Sequence, residues 1–287
     1  MTSDRPILHE IPRLRLGNVA YLNSAPLTYG WEEAFAFEHP AVLAEKLRLG
    51  ELDGGLAPLY ALLDAERYVL VDGVGICAEG PVYSVGVVAA GPLEELTEVA
   101  LTEASRSSRN LLKLLYAEFI PKAQPAFPDA ALPEHTEVAW PEAIDREFTA
   151  CRQGKRGLLL IGDRALAAHR LLESADGGAG DLRFHDLAEV WGRFTGLPFV
   201  FAMWGLRVDL PSERLLTTSR ELRELAVYGL AHREEIAAQA GPDALRYLTE
   251  NIRYAVESPQ RAGIAEYLRL LKKHELLPKT ASLPRFI

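Results

Sequence analysis

Four stretches of the sequence each predict a β-strand that runs directly into the start of a helix. They are GNVAYLNSAPL (17–27), LDGGLAPLY (52–60), VALTEASRSSRNLL (99–112) and LLLIGDRAL (158–166). The first turn of a helix has unpaired backbone N–H groups and a partial positive charge, so it attracts anions. A chain with four such junctions is expected to form an α/β fold that binds a small carboxylate or phosphate.

The order of the elements predicts two lobes. The chain has 287 residues, close to the roughly 250–300 at which a single hydrophobic core usually divides. From Leu14 to about Ala90, and again from Val99 to about Phe199, short apolar runs alternate with helical patterns. Such alternation predicts α/β layers with a largely parallel sheet.

The second block reads as an insertion into the first. The apolar run FVFAMWGLRV (199–208) predicts a strand that returns to the first lobe, and the tail from Pro211 is predicted to be helical. We therefore expect lobe 1 to comprise residues 1–96 and 205–287, with residues 97–204 inserted as lobe 2. This order of elements is that of type II periplasmic binding proteins, whose two-lobed plan offers an interlobe cleft for a ligand.

Composition excludes several kinds of partner. The formal net charge is −9 and the pI is about 5.4, which disfavours a nucleic-acid partner because that partner needs a clustered basic face. The N-terminus lacks the apolar run of a secretory signal, so we expect a cytoplasmic protein. The most apolar stretch, GLPFVFAMWGL, is far shorter than the ~18 residues of a membrane span, so no membrane partner is expected.

Motifs for metals and cofactors are missing. Cys77 and Cys151 are the only cysteines, with no CxxC. One disulfide between them is the alternative, but two isolated buried thiols are expected. The seven histidines are far apart in the sequence, so no metal site is predicted. GVGICA (73–78) has the letters of a dinucleotide fingerprint but is followed by a turn and a strand, which excludes that site. We therefore expect no cofactor.

The most informative local motif is TEASRSSRNLL (102–112). Ser105 or a neighbour is expected to cap the helix, while Arg106, Ser107 and Ser108 place a guanidinium, hydroxyls and N–H groups around its first turn. This set of donors suits a carboxylate. The alternative, in which the serines only cap the helix and the arginines are solvated, stays open on the residues alone.

The other junctions are less specific. In YLNSAPL, Asn23 and Ser24 lie at the junction with Pro26 in the first turn, and spacing alone favours a plain capping sequence. At Gly162–Asp163, Asp163 is a natural N-cap. The helix DLAEVWGRFTGLP has Asp186 at its N-cap, Glu189 at N3 and Gly196 after its end.

Six motifs in a fixed order resemble a known family. They are GNVAYLNSAPL, GELDGGLAPLYALL, GPVYSVGVV, VALTEASRSSRNLLKLL, LLIGDRAL and FHDLAEVWGRFTGLPFVFAMW. The sequence between about Leu14 and Trp204 is similar in these motifs to the chorismate dehydratases, the first enzymes of the futalosine route to menaquinone. The resemblance implies a periplasmic-binding-protein-like fold and a lyase that removes water from chorismate, giving 3-[(1-carboxyvinyl)oxy]benzoate with no metal or organic cofactor.

The resemblance also implies which residues form the site. Asn23 and Ser84 of GPVYS would be catalytic. The substrate, a small dicarboxylate, would contact a second set, namely Ser24, Pro58, Ser105, Arg106, Ser107, Ser108, Gly162 and Asp163.

The motif residues include no strong base, because Asn23 is an amide and Ser84 a hydroxyl. We hypothesise an enolate-like intermediate in which the substrate's own enolpyruvyl carboxylate, held by Asn23, takes the proton. Ser84 would hydrogen-bond the departing hydroxyl or an adjacent carboxylate. A protein base such as Asp163, Glu79 or His185 is the rival hypothesis.

Three other functions compete with the lyase. A non-catalytic small-anion binding protein of the same fold would bind without turnover, but the sequence has no signal or lipoprotein cysteine. The related 1,4-dihydroxy-6-naphthoate synthase has a motif resembling SPCPND where this chain has YLNSAP. The ligand-sensing half of a transcription regulator would need a DNA-binding helix pair, and none precedes Leu14. The proton acceptor and the oligomeric state are not predicted.

Overall fold

The computed structural model describes residues 5–102, 105–129, 140–173 and 180–287, and only the backbone of residues 140–145. The chain forms two compact units: Met1–Glu79 with Leu197–Ile287, and Gly80–Gly196.

Strands and helices alternate through most of the described chain, and they are numbered here from the N-terminus. The strands are β1 (Leu16–Asn18), β2 (Phe35–Phe37), β3 (Gly54–Pro58), β4 (Tyr68–Ala78), β5 (Val85–Ala89), β6 (Glu98–Ala100), β7 (Arg156–Ile161), β8 (Arg183–Asp186), β9 (Phe199–Arg207) and β10 (Arg253–Val256). The helices are α1 (Pro40–Leu49), α2 (Leu59–Leu62), α3 (Arg106–Leu114), α4 (Trp140–Gln153), α5 (Gly162–Glu173), α6 (Leu187–Thr195), α7 (Ser212–Ala231), α8 (Arg233–Ala240), α9 (Ala244–Arg246) and α10 (Ser258–Lys273).

The first unit contains a six-stranded sheet in the order β10-β4-β9-β3-β1-β2. β1 runs parallel to β2 and to β3, whereas β9 runs antiparallel to both of its neighbours, β3 and β4. β10 is antiparallel to β4. Because β1, β3 and β4 therefore point the same way, the segments that follow them begin at one edge of the sheet.

The second unit contains a four-stranded sheet in the order β6-β7-β5-β8. β6 and β7 are parallel, and β5 is antiparallel to both β7 and β8. Part of its core lies between the sheet and the helices α4 and α5, where Val88, Leu158, Phe148, Cys151 and Ala165 form one buried cluster.

Two features differ from the sequence prediction. The expectation of a largely parallel sheet is wrong, because β5 and β9 run back between strands of the opposite direction. The units divide at residues 79/80 and 196/197 rather than at 96/97 and 204/205. The reason is pairing: β5 belongs to the sheet of β7 and β8, and the whole of β9 lies between β3 and β4.

Other expectations have mixed outcomes. Cys77 and Cys151 are both buried and free, as predicted, and burial raises the pKa of each thiol. Within the helical tail the prediction missed β10. No helix in the described parts of the chain has the length and apolar character that crossing a membrane requires.

Candidate functional site

In the first unit, the junction after β1 is a tight 3-10 turn, Leu22–Leu27, that carries Asn23 and Ser24. The Ser24 hydroxyl is buried and donates hydrogen bonds to the carbonyls of Val19 and Tyr21, the latter at 2.8 Å. The Oδ1 atom of Asn23 is also buried, but it has no hydrogen-bond partner among the described residues. Ser24 therefore fixes the turn, and the turn presents the amide of Asn23.

The turn that carries Asn23 is contacted by β10 and by α7. The hydroxyl of Tyr254 in β10 donates to the Asn23 carbonyl at 2.9 Å. Helix α7 approaches so closely that a Cβ atom on Gly229 would lie 1.9 Å from the carbonyl oxygen of Pro26. These contacts fix the backbone from which the Asn23 side chain projects.

The amide of Asn18, at the end of β1, is a second buried amide in this region. Its Nδ2 donates to the Thr28 hydroxyl at 3.2 Å, and its Oδ1 accepts from the backbone N–H of Val19 at 2.8 Å. Asn18 is 0% exposed. Its polar atoms are thus paired within the protein, in contrast to the Oδ1 of Asn23.

Pro58 is the last residue of β3 and pairs with Ala202 of β9. β3 and β1 are parallel neighbours. Pro58 therefore lies at the same edge of the first sheet as the turn that carries Asn23.

In the second unit, three helices begin at one edge of the sheet. β6, β7 and β8 point the same way, because β6 is parallel to β7 and β5 is antiparallel to β7 and β8. The helices α3, α5 and α6 follow these strands in the chain. β5 starts at the same edge, just after Ser84. Two of the four predicted strand-to-helix junctions, those before α3 and α5, therefore lie at one edge of this sheet.

Ser84 lies at the centre of this edge. It is 1% exposed, and its Oγ atom has no hydrogen-bond partner among the described residues. Its carbonyl accepts a 2.8 Å hydrogen bond from the N–H of Gly162. Gly162 has a φ of +60°, a left-handed conformation that favours glycine. The structure thus brings two of the predicted site residues into direct contact.

The start of α3 agrees with the predicted cap. Ser105 is the N-cap, and its hydroxyl accepts hydrogen bonds at 3.3 Å from the N–H and from the hydroxyl of Ser108. Ser105, Ser107 and Ser108 are buried, whereas the side chain of Arg106 is exposed. Glu103 and Ala104, which precede this cap in the motif, lie outside the described residues.

Asp163 does not have the predicted capping position. Helix α5 begins at Gly162, so Asp163 lies inside the first turn, where it is exposed. Gly162 can begin the helix itself because its left-handed conformation turns the chain from β7 into α5. An acidic residue in a first turn still interacts favourably with the helix dipole.

Asp186 is the N-cap of α6, as predicted, but it also makes contacts that the sequence did not indicate. One carboxylate oxygen accepts hydrogen bonds from the N–H groups of Ala188 and Glu189 at 2.9 and 3.1 Å. The other accepts from the N–H groups of Val82 and Tyr83 at 2.8 and 2.6 Å. Burial raises the pKa of Asp186 to about 6, and the four hydrogen bonds act in the opposite direction.

Tyr83 precedes Ser84 in an uncommon conformation, with a φ of +60°. Its ring stacks on His169 of α5, with ring centroids 4.1 Å apart. His185, which precedes Asp186 in the chain, is partly buried; its Nε2 donates to the Gly91 carbonyl at 2.9 Å, and burial lowers its pKa.

Sequence reasoning missed two contacts that support the site. They are the hydrogen bond of Tyr254 to Asn23 and the hydrogen bonds of Val82 and Tyr83 to Asp186. Neither has a local signal, because the contacts of Asp186 with Val82 and Tyr83 span 104 and 103 residues. Tyr254 is 231 residues from Asn23. Among the described residues, no group of three or more His, Cys, Asp and Glu side chains is arranged to hold a metal ion.

Comparisons with known proteins agree on family and fold. The sequence model of a family described as menaquinone biosynthesis matches residues 14–273. A curated protein named chorismate dehydratase, from Thermus thermophilus, is 33% identical over 275 residues, covering 89% of this chain and 94% of that protein.

Solved structures resemble the chain in fold. A crystal structure of a protein from Archaeoglobus fulgidus has a TM-score of 0.68 at 16% identity, covering 92% of this chain and 98% of that one. The periplasmic aliphatic sulphonate binding protein SsuA from Escherichia coli has a TM-score of 0.57 at 16% identity, covering 96% and 93%. A Candida albicans protein described as having the generic periplasmic binding protein fold has a TM-score of 0.58 at 10% identity, covering 93% and 91%. The predicted periplasmic-binding-protein-like fold is confirmed.

Proposed function

Because the chain belongs to the menaquinone biosynthesis family, we propose that it is a chorismate dehydratase, a carbon–oxygen lyase. The reaction converts chorismate into 3-[(1-carboxyvinyl)oxy]benzoate and water. The name of the Thermus thermophilus relative supports this activity. The structural observation that carries it is that Asn23 Oδ1 and Ser84 Oγ are among the buried side-chain polar atoms that have no partner among the described residues. These are the two positions that the family resemblance implies are catalytic.

An unpaired buried polar atom is costly, typically about 1–3 kcal/mol, so proteins rarely keep one without a use. A substrate that supplies the missing hydrogen bond recovers that free energy on binding. Chorismate has a ring hydroxyl that can donate to Asn23 Oδ1, and two carboxylates that can accept from the Asn23 Nδ2 group and from the Ser84 hydroxyl. The two atoms therefore support a substrate with several polar groups rather than an apolar one.

The chemistry needs one proton and one hydroxyl to leave the ring. Removal of the proton from the ether-bearing carbon leaves an electron pair that is delocalised toward the ring carboxylate. Cleavage of the neighbouring carbon–oxygen bond then expels the hydroxyl, which with a proton forms water, and the ring becomes aromatic. Because aromatisation drives the reaction, the protein must mainly orient the substrate and stabilise developing negative charge.

The starts of α3 and α5 support that second task, whereas the first-turn N–H groups of α6 are already bonded to Asp186. Each helix N-terminus favours a carboxylate by about 0.3–1 kcal/mol through its dipole, and charge-assisted hydrogen bonds add to this. We propose that Ser105, Ser107, Ser108 and Gly162 lie around a carboxylate of the substrate, with Arg106 adding positive charge. The roles of Ser24, Pro58 and Asp163 in binding are part of the same proposal.

We propose that the enolpyruvyl carboxylate of chorismate takes the ring proton. The Nδ2 group of Asn23 donates to that carboxylate, and Ser84 hydrogen-bonds the departing hydroxyl. The surroundings of the rival bases support this choice. Glu79 accepts a hydrogen bond from Gln260 at 2.6 Å, and His185 is bonded to the Gly91 carbonyl. Asp163 is exposed, so solvent competes for its carboxylate.

The decisive experiment is incubation of the purified protein with chorismate. A new aromatic absorbance and a product lighter than chorismate by one water are expected. A sample without protein corrects for spontaneous decay of chorismate. Binding of chorismate with no product would refute the lyase and leave a binding protein; absence of both would refute chorismate as the ligand.

A further inference from the structure

The carboxylate of Asp186 joins two elements at the edge of the second sheet. Its Oδ1 accepts from the first turn of α6, and its Oδ2 accepts from the N–H groups of Val82 and Tyr83. The side chain is 4% exposed, so these four hydrogen bonds form out of water. A helix cap needs only the first pair. The second pair requires a separate explanation.

Val82 and Tyr83, whose N–H groups donate the second pair of hydrogen bonds, lead directly into Ser84. Tyr83 adopts a φ of +60°, a conformation that is uncommon for a residue with a side chain and needs support from its surroundings. The hydrogen bond from its N–H to Asp186 and the stacking of its ring on His169 supply that support. On the other side, the Ser84 carbonyl is held by Gly162. The backbone of Ser84 is thus fixed before and after the residue.

We infer that Asp186 is a positioning residue for the reaction, which fixes the direction of the Ser84 hydroxyl by holding the Val82–Tyr83 backbone. This inference rests on the proposed function and on the proposed role of Ser84. Asp186 itself touches no reacting atom. A catalytic hydroxyl must be aligned closely, since a displacement of about 1 Å can cost about 100-fold in rate.

Asp186→Ser separates the two contacts of the carboxylate. Serine is a strongly preferred N-cap, so it retains the bonds to α6, but its side chain is too short to reach Val82 and Tyr83 as well. We expect kcat to fall about 10–100-fold with a small change in KM, because the substrate-binding groups remain while the reacting hydroxyl is misaligned. Hydrogen exchange should become faster at the Val82 and Tyr83 amides and remain slow at Ala188 and Glu189.

The kinetic test is a double-mutant cycle that combines Asp186→Ser with Ser84→Ala. If Asp186 acts through Ser84, Asp186→Ser lowers kcat in the wild-type background and has less than about a threefold further effect in Ser84→Ala. A merely structural loss lowers kcat by the same factor in both backgrounds, and that result would overturn the inference. Should Asp186→Ser not fold, Asp186→Asn, which keeps one acceptor oxygen, is measured in the same two backgrounds.

A matched control is available in the first unit. Glu221 is 1% exposed, and its carboxylate accepts four hydrogen bonds from the backbone N–H groups of His9, Glu10 and Ile11. Glu221→Gln should lower the Tm but leave the kcat of the folded protein unchanged. Failure of the proposed function is a separate outcome: wild-type protein would then produce no aromatic product, whereas failure of the inference leaves wild-type activity intact.

Discussion

Asn18 and Asn23 are two amides in one short stretch of chain with opposite surroundings. Asn18 has both ends of its amide paired inside the protein, whereas the Oδ1 of Asn23 is buried without a described partner. Removing a paired buried amide leaves its partners unsatisfied, which costs about 1–3 kcal/mol. Removing Asn23 leaves no described partner of its Oδ1 atom unsatisfied. At the residue scale, this difference separates an amide that stabilises the turn from one that is available to a ligand.

Asn23→Ala should therefore lower turnover of chorismate by about 100-fold or more, the loss typical of a donor that acts on developing charge. Its free energy of unfolding should remain within about 0.5 kcal/mol of wild type. Asn18→Ala is the matched control and should lose about 1–3 kcal/mol of stability. Steady-state kinetics and urea unfolding measure both quantities. Near-normal turnover in Asn23→Ala would rule out its catalytic role.

A pH dependence is expected from His185. Burial lowers its pKa in the folded protein below the ordinary value of 6.5, and the charges of Arg183 and Arg193 lower it further; the hydrogen bond to the Gly91 carbonyl and the charge of Glu94 act in the opposite direction. A histidine that resists protonation when folded stabilises the protein above about pH 6.5, and this contribution is lost as the pH falls through the lowered pKa.

His185→Gln removes this titration and keeps a donor for the Gly91 carbonyl. The stability difference between wild type and variant should be constant above about pH 6.5 and should shift against the wild type at lower pH. Urea unfolding at pH values from about 5 to 8 measures it. A difference that stays constant over the whole range would contradict the prediction.

At the scale of elements, the strand-to-helix junctions could be predicted because their signals are local. Ser105 and Asp186 are caps in the sequence and in the structure. The direction of β5 and β9 could not be predicted, because it depends on which distant strands they meet. The same holds for the site: the hydroxyl and amide residues follow from motifs, but the contacts that orient them join residues more than 100 positions apart.

The packing of α7 on the turn that carries Asn23 gives a prediction for one element. A Cβ atom at Gly229 would meet the Pro26 carbonyl, which is backbone and cannot rotate away. Gly229→Ala should therefore move the helix or the turn, with a loss of about 1–3 kcal/mol of stability and reduced turnover.

Val227→Ala on the same helix provides the control, because Val227 is 66% exposed and should change stability by less than about 0.5 kcal/mol. Thermal unfolding and kinetics of both variants measure the effect. Equal stability and equal turnover of the two variants would mean that the close approach of Gly229 to Pro26 is unimportant.

At the scale of the whole molecule, the first unit is assembled from two distant segments of chain. β9, from the second segment, is hydrogen-bonded between β3 and β4 of the first. The second unit is one continuous segment with a buried cluster of its own. When the chain is divided into fragments, the second unit should therefore fold alone, whereas the first segment of the first unit should not.

Residues 80–196 expressed alone should fold, with cooperative urea unfolding, whereas residues 1–79 alone should not, because their sheet lacks β9. Circular dichroism and urea titration test both fragments. Joining residue 79 to residue 197 through a short Asn-Gly turn should restore folding of the first unit, since Ala78 and Phe199 are already register partners. A folded 1–79 fragment would contradict this account.

The pairing of Ala78 with Phe199 has a consequence for how proteins of this family can be engineered. Gly80–Gly196 is inserted into what would otherwise be the hairpin loop between β4 and β9. The corresponding segment of a relative with the same insertion point can replace Gly80–Gly196 as one piece. Chimaeras made in this way would reveal which of the two units determines substrate preference.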